Sequence, residues 1–127
     1  MDEWLREAKA DSRAKNCGMF LFHNGTVRAT AKAKVRQGAE NTEAVTGMDF
    51  DYDEEKVRAA VARASAMPGI YYVRVWLNRG RLEVGDDIML VLLGGDIRPH
   101  VVDALNSLVG ELKDNCVLER ERFGQAQ

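Results

Sequence analysis

RLEVGDDIMLVLLGGDIRPH, residues 81–100, decides how the rest of the chain is read. Ile88 to Leu93 is apolar at every position. A strand there buries both of its faces, which marks the central strand of a sheet. Gly94 and Gly95 follow, then Asp96, Ile97, Arg98, Pro99 and His100. Proline disfavours the α conformation in the residue before it, so Arg98 reads as an N-cap and Pro99 as the first helical residue. A helix is predicted over Pro99–Lys113, with Val101, Val102, Leu105, Leu108, Val109 and Leu112 facing inward. The open N–H groups of such a helix start attract an anion. Arg98 adds a fork of donors suited to phosphate or carboxylate, and two glycines would let the backbone approach a ligand closely. The competing reading is a well-capped helix after a tight turn, because Asp96 can satisfy the same amides.

Upstream, Arg79-Gly80-Arg81 reads as a turn, Leu82 to Gly85 as a crossover, and Asp86 and Asp87 as turn formers. Ile70 to Asn78 alternates as a strand, with Tyr71, Val73, Val75 and Leu77 on one side and Tyr72, Arg74 and Trp76 on the other. Asp53 caps a helix whose stripe is Val57, Ala60, Val61 and Ala64, and Met67-Pro68-Gly69 stops it. Met48, Phe50 and Tyr52 alternate in another strand. At the start of the chain Asp2 can cap a first helix, which Asn16-Cys17-Gly18 ends. Met19 to Phe22 is a short apolar strand, and His23-Asn24-Gly25 a turn or bulge. From Val27 to Arg36 the alternation is strict, with small apolar residues on one face and Arg28, Thr30, Lys32, Lys34 and Arg36 on the other. That face is either a solvated, lysine-protected sheet edge or a basic wall beside an anionic ligand. Gln37 to Glu43 is a polar loop. Cys116 to Leu118 gives a last short strand, and Glu119 to Gln127 a charged, flexible tail. The order reads as an α+β fold: one compact domain over residues 1–127, a mostly antiparallel or mixed sheet, and three helices.

The 127 residues suit one domain, and an apolar share of 46% is enough for its core. A formal net charge of −2 argues against a general nucleic-acid binder. No apolar run approaches the roughly 18 residues of a membrane span. The N-terminal MDEWLREAKADSRAK has no signal-peptide core, so a cytoplasmic protein that binds neither membrane nor nucleic acid is expected. Cys17 and Cys116 show no zinc spacing, and a disulfide is not expected in that compartment. No metal site and no cofactor are read. His100 lies in the first turn of its helix, as a surface residue or a proton-transfer candidate. His23 reads as closing its turn with Asn24. The glycines form neither a GxGxxG nor a P-loop pattern.

Taken in order, these pieces resemble the large, catalytic subunit of molybdopterin synthase over roughly residues 3–123. That family opens a strand with glycine and apolar residues, then has a G-x-V-R element, matched by Gly18-Met19-Phe20-Leu21-Phe22 and Gly25-Thr26-Val27-Arg28. An alternating strand ending in an aromatic residue precedes a helix, as in Gly47-Met48-Asp49-Phe50-Asp51-Tyr52. A G-x-L-x-x-G-[DE] turn is matched by Gly80-Arg81-Leu82-Glu83-Val84-Gly85-Asp86. An apolar strand, a His-Arg turn and a helix ending in Leu-Lys correspond to Ile88–Leu93, Arg98 and Leu112-Lys113.

The resemblance implies an enzyme that makes the dithiolene of the molybdenum cofactor. Its substrate would be cyclic pyranopterin monophosphate. Its sulfur would come from the C-terminal thiocarboxylate of a small ubiquitin-like carrier ending in Gly-Gly. Its assembly would be a homodimer within a heterotetramer. Arg28 and Arg98, with Lys34 and Arg36 from the basic face, would bind the substrate phosphate or the carrier tail. Arg120 would stabilise anionic intermediates, and His100 would move protons. The family's turn histidine falls on Ile97, and its lysine-bearing tail segment on Glu119-Arg120-Glu121. Lys113 and Lys34 are then the remaining lysines for catalysis. Two further readings stay open: a homologue that binds the carrier without catalysis, as a regulatory or scaffold partner, and a small α+β domain for another phosphorylated ligand.

Overall fold

A computed structural model describes residues 1–29 and 44–123. Among them run three α-helices: α1 (Asp2–Ala10), α2 (Glu54–Ser65) and α3 (Arg98–Glu111). Six strands accompany them: β1 (Met19–Thr26), β2 (Val45–Tyr52), β3 (Ile70–Leu77), β4 (Gly80–Glu83), β5 (Asp87–Gly95) and β6 (Val117–Phe123). The strands form two three-stranded sheets, in the orders β1-β5-β3 and β4-β2-β6, and every pairing is antiparallel. The α+β class and the three helices agree with the sequence. The single expected sheet is instead two.

The all-apolar run is the centre of the first sheet, as its composition requires. Met89, Val91 and Leu93 face the main core with Leu77, Val101, Ala104, Leu108 and Leu112. Leu92 points the other way and is also closed off, at 1% exposure. α1 lies along β5, and the Arg74 guanidinium sits 4.2 Å from the Trp4 ring centroid while pairing with Glu7. On α3 the buried stripe is Val101, Ala104 and Leu108, continued by Leu112. Val102, expected inside, is exposed, because the helical period carries the stripe to Ala104 instead. Asp53 caps α2 as expected: its Oδ1 accepts from the backbone N–H of Glu55 at 3.0 Å and of Lys56 at 3.1 Å.

Several boundaries move. α1 ends at Ala10 with a separate 3-10 turn at Ala14–Asn16, and its N-cap is Met1, with no side-chain bond from Asp2. β1 runs through His23, Asn24 and Gly25 and pairs them with Val91, Leu90 and Met89. Only Gly25/Thr26 is irregular. Leu82 belongs to strand β4, not to a crossover. β6 extends to Phe123, so residues 119–123 of the expected tail are sheet. They are held because β2 pairs with them along its length, and because Arg122 donates to Asp49 at 2.6 Å and to the Leu82 carbonyl at 2.8 Å. Val27 to Ala29 are not strand. The rest of the expected basic strand, with Lys32, Lys34 and Arg36, lies outside the described residues.

Candidate functional site

The glycine pair is the first place to look for a ligand, and the fold fills it with its own side chains. A Cβ on Gly94 would lie 2.6 Å from the Phe20 ring and 3.1 Å from the Cys17 sulfur. One on Gly95 would lie 2.6 Å from Val101 and 2.7 Å from the Gly69 carbonyl oxygen. These glycines let β1, β3 and α3 close on β5, so the space above them is core and not ligand room. The helix start has its own anion. Ile97, not Arg98, is the N-cap. The Asp96 carboxylate accepts from the Ile97 amide at 2.6 Å and meets His100 Nδ1 at 2.7 Å. The His100 contact, then the Ile97 amide, holds the Asp96 carboxyl below its usual range. Gly69, at φ +78°, sits against this pair, where a Cβ would strike both Asp96 and His100. Arg98 is exposed beside it.

The convergence of polar groups is at the other end of the sheet. β1 supplies His23, Gly25 and Thr26, and β5 supplies Ile88 and Met89. Met48 comes from β2, and Glu119 and Glu121 from β6. Arg28 and Lys113 complete the wall of a pocket of about 70 Å³. The backbone fixes Arg28 from both sides. Val27 exchanges two hydrogen bonds with the β4–β5 turn, its N–H to the Asp86 carbonyl (3.0 Å) and its carbonyl from the Gly85 N–H (2.8 Å). The Ala29 carbonyl accepts from the Val45 N–H at 2.8 Å. Asp86 is a turn former here, since its carboxylate accepts from the Glu83 N–H at 2.8 Å.

Lys113 reaches the pocket from a π-helical turn, Leu112–Cys116, that follows α3. The wider turn buries Leu112 and Cys116 while leaving Lys113 outward. Such turns are a recurrent device for re-aiming a side chain at a site. Strand alternation explains β6: Glu119 and Glu121 share a face and reach the pocket, while Arg120 points to the opposite side of the sheet. Arg120 there lines an open groove of about 560 Å³ with Asp49, Asp51, Arg81 and the exposed Leu118, and Glu119 borders both this groove and the pocket.

The sequence-derived residues therefore separate into three places. Arg28 and Lys113 come together. Arg98 and His100 follow the far end of β5, whose last residue, Gly95, is six residues beyond the Gly25–Met89 pair, or about 20 Å at the rise of a strand. Arg120 lies on the outer face of the second sheet. Lys34 and Arg36 are outside the described residues. His23, Glu119 and Glu121 are pocket residues that the sequence placed in a turn and a tail. In the sequence the two glutamates are marked by their i, i+2 spacing, which becomes one strand face because β6 runs on to Phe123. Burial, then the nearby Lys113 ammonium, holds the His23 imidazole below its usual pKa.

The family model described as MoaE protein matches residues 2–115. The chain belongs to the MoaE family. That family provides the catalytic subunit of molybdopterin synthase, in molybdenum cofactor biosynthesis. No curated protein matches the sequence. Among solved structures, molybdopterin synthase from Staphylococcus aureus is similar with a TM-score of 0.74 at 15% identity, over 99% of this chain and 87% of that one. The MoaE protein of Burkholderia ambifaria is similar with a TM-score of 0.65 at 22% identity, over 94% and 80%. A complex of subunits 1 and 2 of the molybdopterin-converting factor from Helicobacter pylori gives 0.66 at 18% identity, over 96% and 77%. At these identities the likeness shows the fold. In this MoaE chain no helix among the described residues is long and apolar enough to cross a membrane.

Proposed function

We propose that the chain is the large subunit of a molybdopterin synthase, with its pocket at Arg28 and Lys113. The observation that carries this reading is the convergence of two cations, distant in sequence, on one pocket of a MoaE chain. Cations that converge on a recess suit a phosphate or a carboxylate-like tail. A volume of about 70 Å³ takes an anionic head group but not a whole pterin, since complete small-molecule sites run to several hundred Å³. The pocket would accept the thiocarboxylate tail of a ubiquitin-like carrier ending in Gly-Gly, or the phosphate of cyclic pyranopterin monophosphate. Sulfur would pass from the first to the second. Lys34 and Arg36 would add to the basic surroundings, and Arg120 would act on the outer face of β6.

Arg98 and His100 can join that pocket only across a subunit boundary. A homodimer, within a heterotetramer with two carriers in the cytoplasm, is thus the arrangement in which the whole set works together. The experiment is reconstitution from purified protein, thiocarboxylated carrier and substrate. Arg28→Ala and Lys113→Ala should each lower molybdopterin formation by about tenfold or more, the worth of one charge-assisted hydrogen bond. A mixture of Arg28→Ala and Arg98→Ala subunits should recover about a quarter of wild-type activity, because half of the dimers keep one intact site. No product from the wild-type protein would defeat the enzyme reading. Glu119 and Glu121, which flank Arg120 in the segment where the resemblance leads one to expect a lysine, favour a second reading. In it the chain binds the carrier as a regulatory partner, and a pull-down that recovers the carrier from an inactive protein selects it.

A further inference from the structure

The same pocket contains a proton acceptor that the resemblance does not supply. We propose that His23 takes the proton from the water that releases the carrier from the sulfur. This rests on the synthase reading above. The chemistry requires such a water. Once the thiocarboxylate sulfur has bonded to a substrate carbon, it is still acylated by the carrier's C-terminal carbonyl. For sulfur to stay on the pterin, the acyl C–S bond must break. The water oxygen bonds to the carbonyl carbon, and the C–S electron pair leaves on sulfur. The carrier departs as a carboxylic acid, which ionises. One water proton passes to the imidazole, which returns it to the thiolate or to solvent. Nothing is oxidised or reduced.

The geometry singles out His23 for this step. It sits in mid-strand on β1, paired in register with Val91, so its ring is aimed by the sheet and not by a loose turn. The ring is half-buried and lines the pocket, with Nε2 on the side of Gly25. Among the described residues, the charged groups around the pocket are Lys113 from the π-helical turn, Arg28 from the segment after β1, and Glu119 and Glu121 from β6. β5 and β2 contribute only Ile88, Met89 and Met48. Two cations and burial oppose an imidazolium, and two carboxylates favour it. Burial leads, so the ring is neutral near pH 7 and able to accept a proton. The Arg28 guanidinium cannot accept one. His100 is engaged with Asp96 at the other end of β5.

The test compares wild type, His23→Gln and His23→Asn in the reconstituted assay, between about pH 5 and 8. Each variant's melting temperature is checked against wild type. An NMR titration of the histidine ring nitrogens, with His100→Gln assigning the second signal, runs alongside. The wild-type rate should fall on an acidic limb that follows the His23 titration. The variants should lose that limb, slow by about 100-fold or more, and accumulate a carrier–substrate adduct visible by mass spectrometry. Product formed by both variants at the wild-type rate, with the limb intact, overturns the role of His23 and leaves the synthase reading standing. Absence of product from the wild-type protein overturns both.

Discussion

Substituting Gly95 by alanine separates the two readings of the glycine pair. The new methyl would lie 2.6 Å from Val101 Cγ2 and 2.7 Å from the Gly69 carbonyl oxygen. The first neighbour is a β-branched side chain at 0% exposure, with little freedom to rotate away. The second is backbone, and its carbonyl accepts the Asp96 amide at 2.9 Å. Overpacking of this kind costs about 1–3 kcal/mol. The loss of unfolded-chain entropy on replacing glycine offsets about 0.4–1 kcal/mol of it. The net expectation is a destabilisation of about 1–2 kcal/mol. Gly110 is the control, since a Cβ there meets nothing within 4 Å in the last turn of α3. Gly110→Ala should stabilise by about 0.5–1 kcal/mol. Urea unfolding with a common m-value reads both numbers. The refuting result is a Gly95→Ala protein as stable as wild type that has lost affinity for the carrier or the pterin. The glycine would then serve the close approach of a ligand.

Acid should destabilise the fold through three carboxylates. Asp51 is held below its usual range by the Tyr52 amide, then Arg79. Asp96 is held there by His100, and Glu111 by Arg63. A depressed folded pKa contributes stability above the unfolded value of about 4, lost as pH falls through the folded value. The melting temperature should therefore drop below about pH 4. Glu111→Gln should melt lower at neutral pH and show a shallower acid decline, and an unchanged decline would remove Glu111 from the account. Asp53→Ala should cost about 1 kcal/mol by removing the cap of α2, while Asp53→Asn keeps most of it. Urea midpoints compare them, and equal loss in both variants would mean that the charge matters more than the cap.

Local pattern was enough for the elements whose neighbours do not matter. Asp53 before an apolar stripe fixed α2, and the all-apolar Ile88–Leu93 run fixed the central strand, because no other placement buries both faces. Family membership was legible in the order of Gly25-Thr26-Val27-Arg28, the Gly80–Asp86 turn and Arg98, not in any one motif. Where a partner completes the element, the sequence fell short. His23-Asn24-Gly25 has turn chemistry, yet the ladder to β5 keeps it extended. Glu119 to Phe123 is mostly charged, yet β2 offers it a full set of backbone partners.

The candidate site divides in the same way. The residue types were readable: arginines, a lysine and a histidine suited to an anionic substrate. Which of them meet was not. Arg28 and Arg98 look equivalent in sequence, but Arg28 follows the end of β1 that pairs with the start of β5, and Arg98 follows the other end of β5. Strand parity turned Arg120 away and brought Glu119 and Glu121 in. Periodicity and composition are properties of the chain alone, so the sequence by itself determined the fold class, the central strand and the family. The pocket depends on register and on which face each strand buries. Those come from pairing between segments far apart in the chain, and only the tertiary structure decided them.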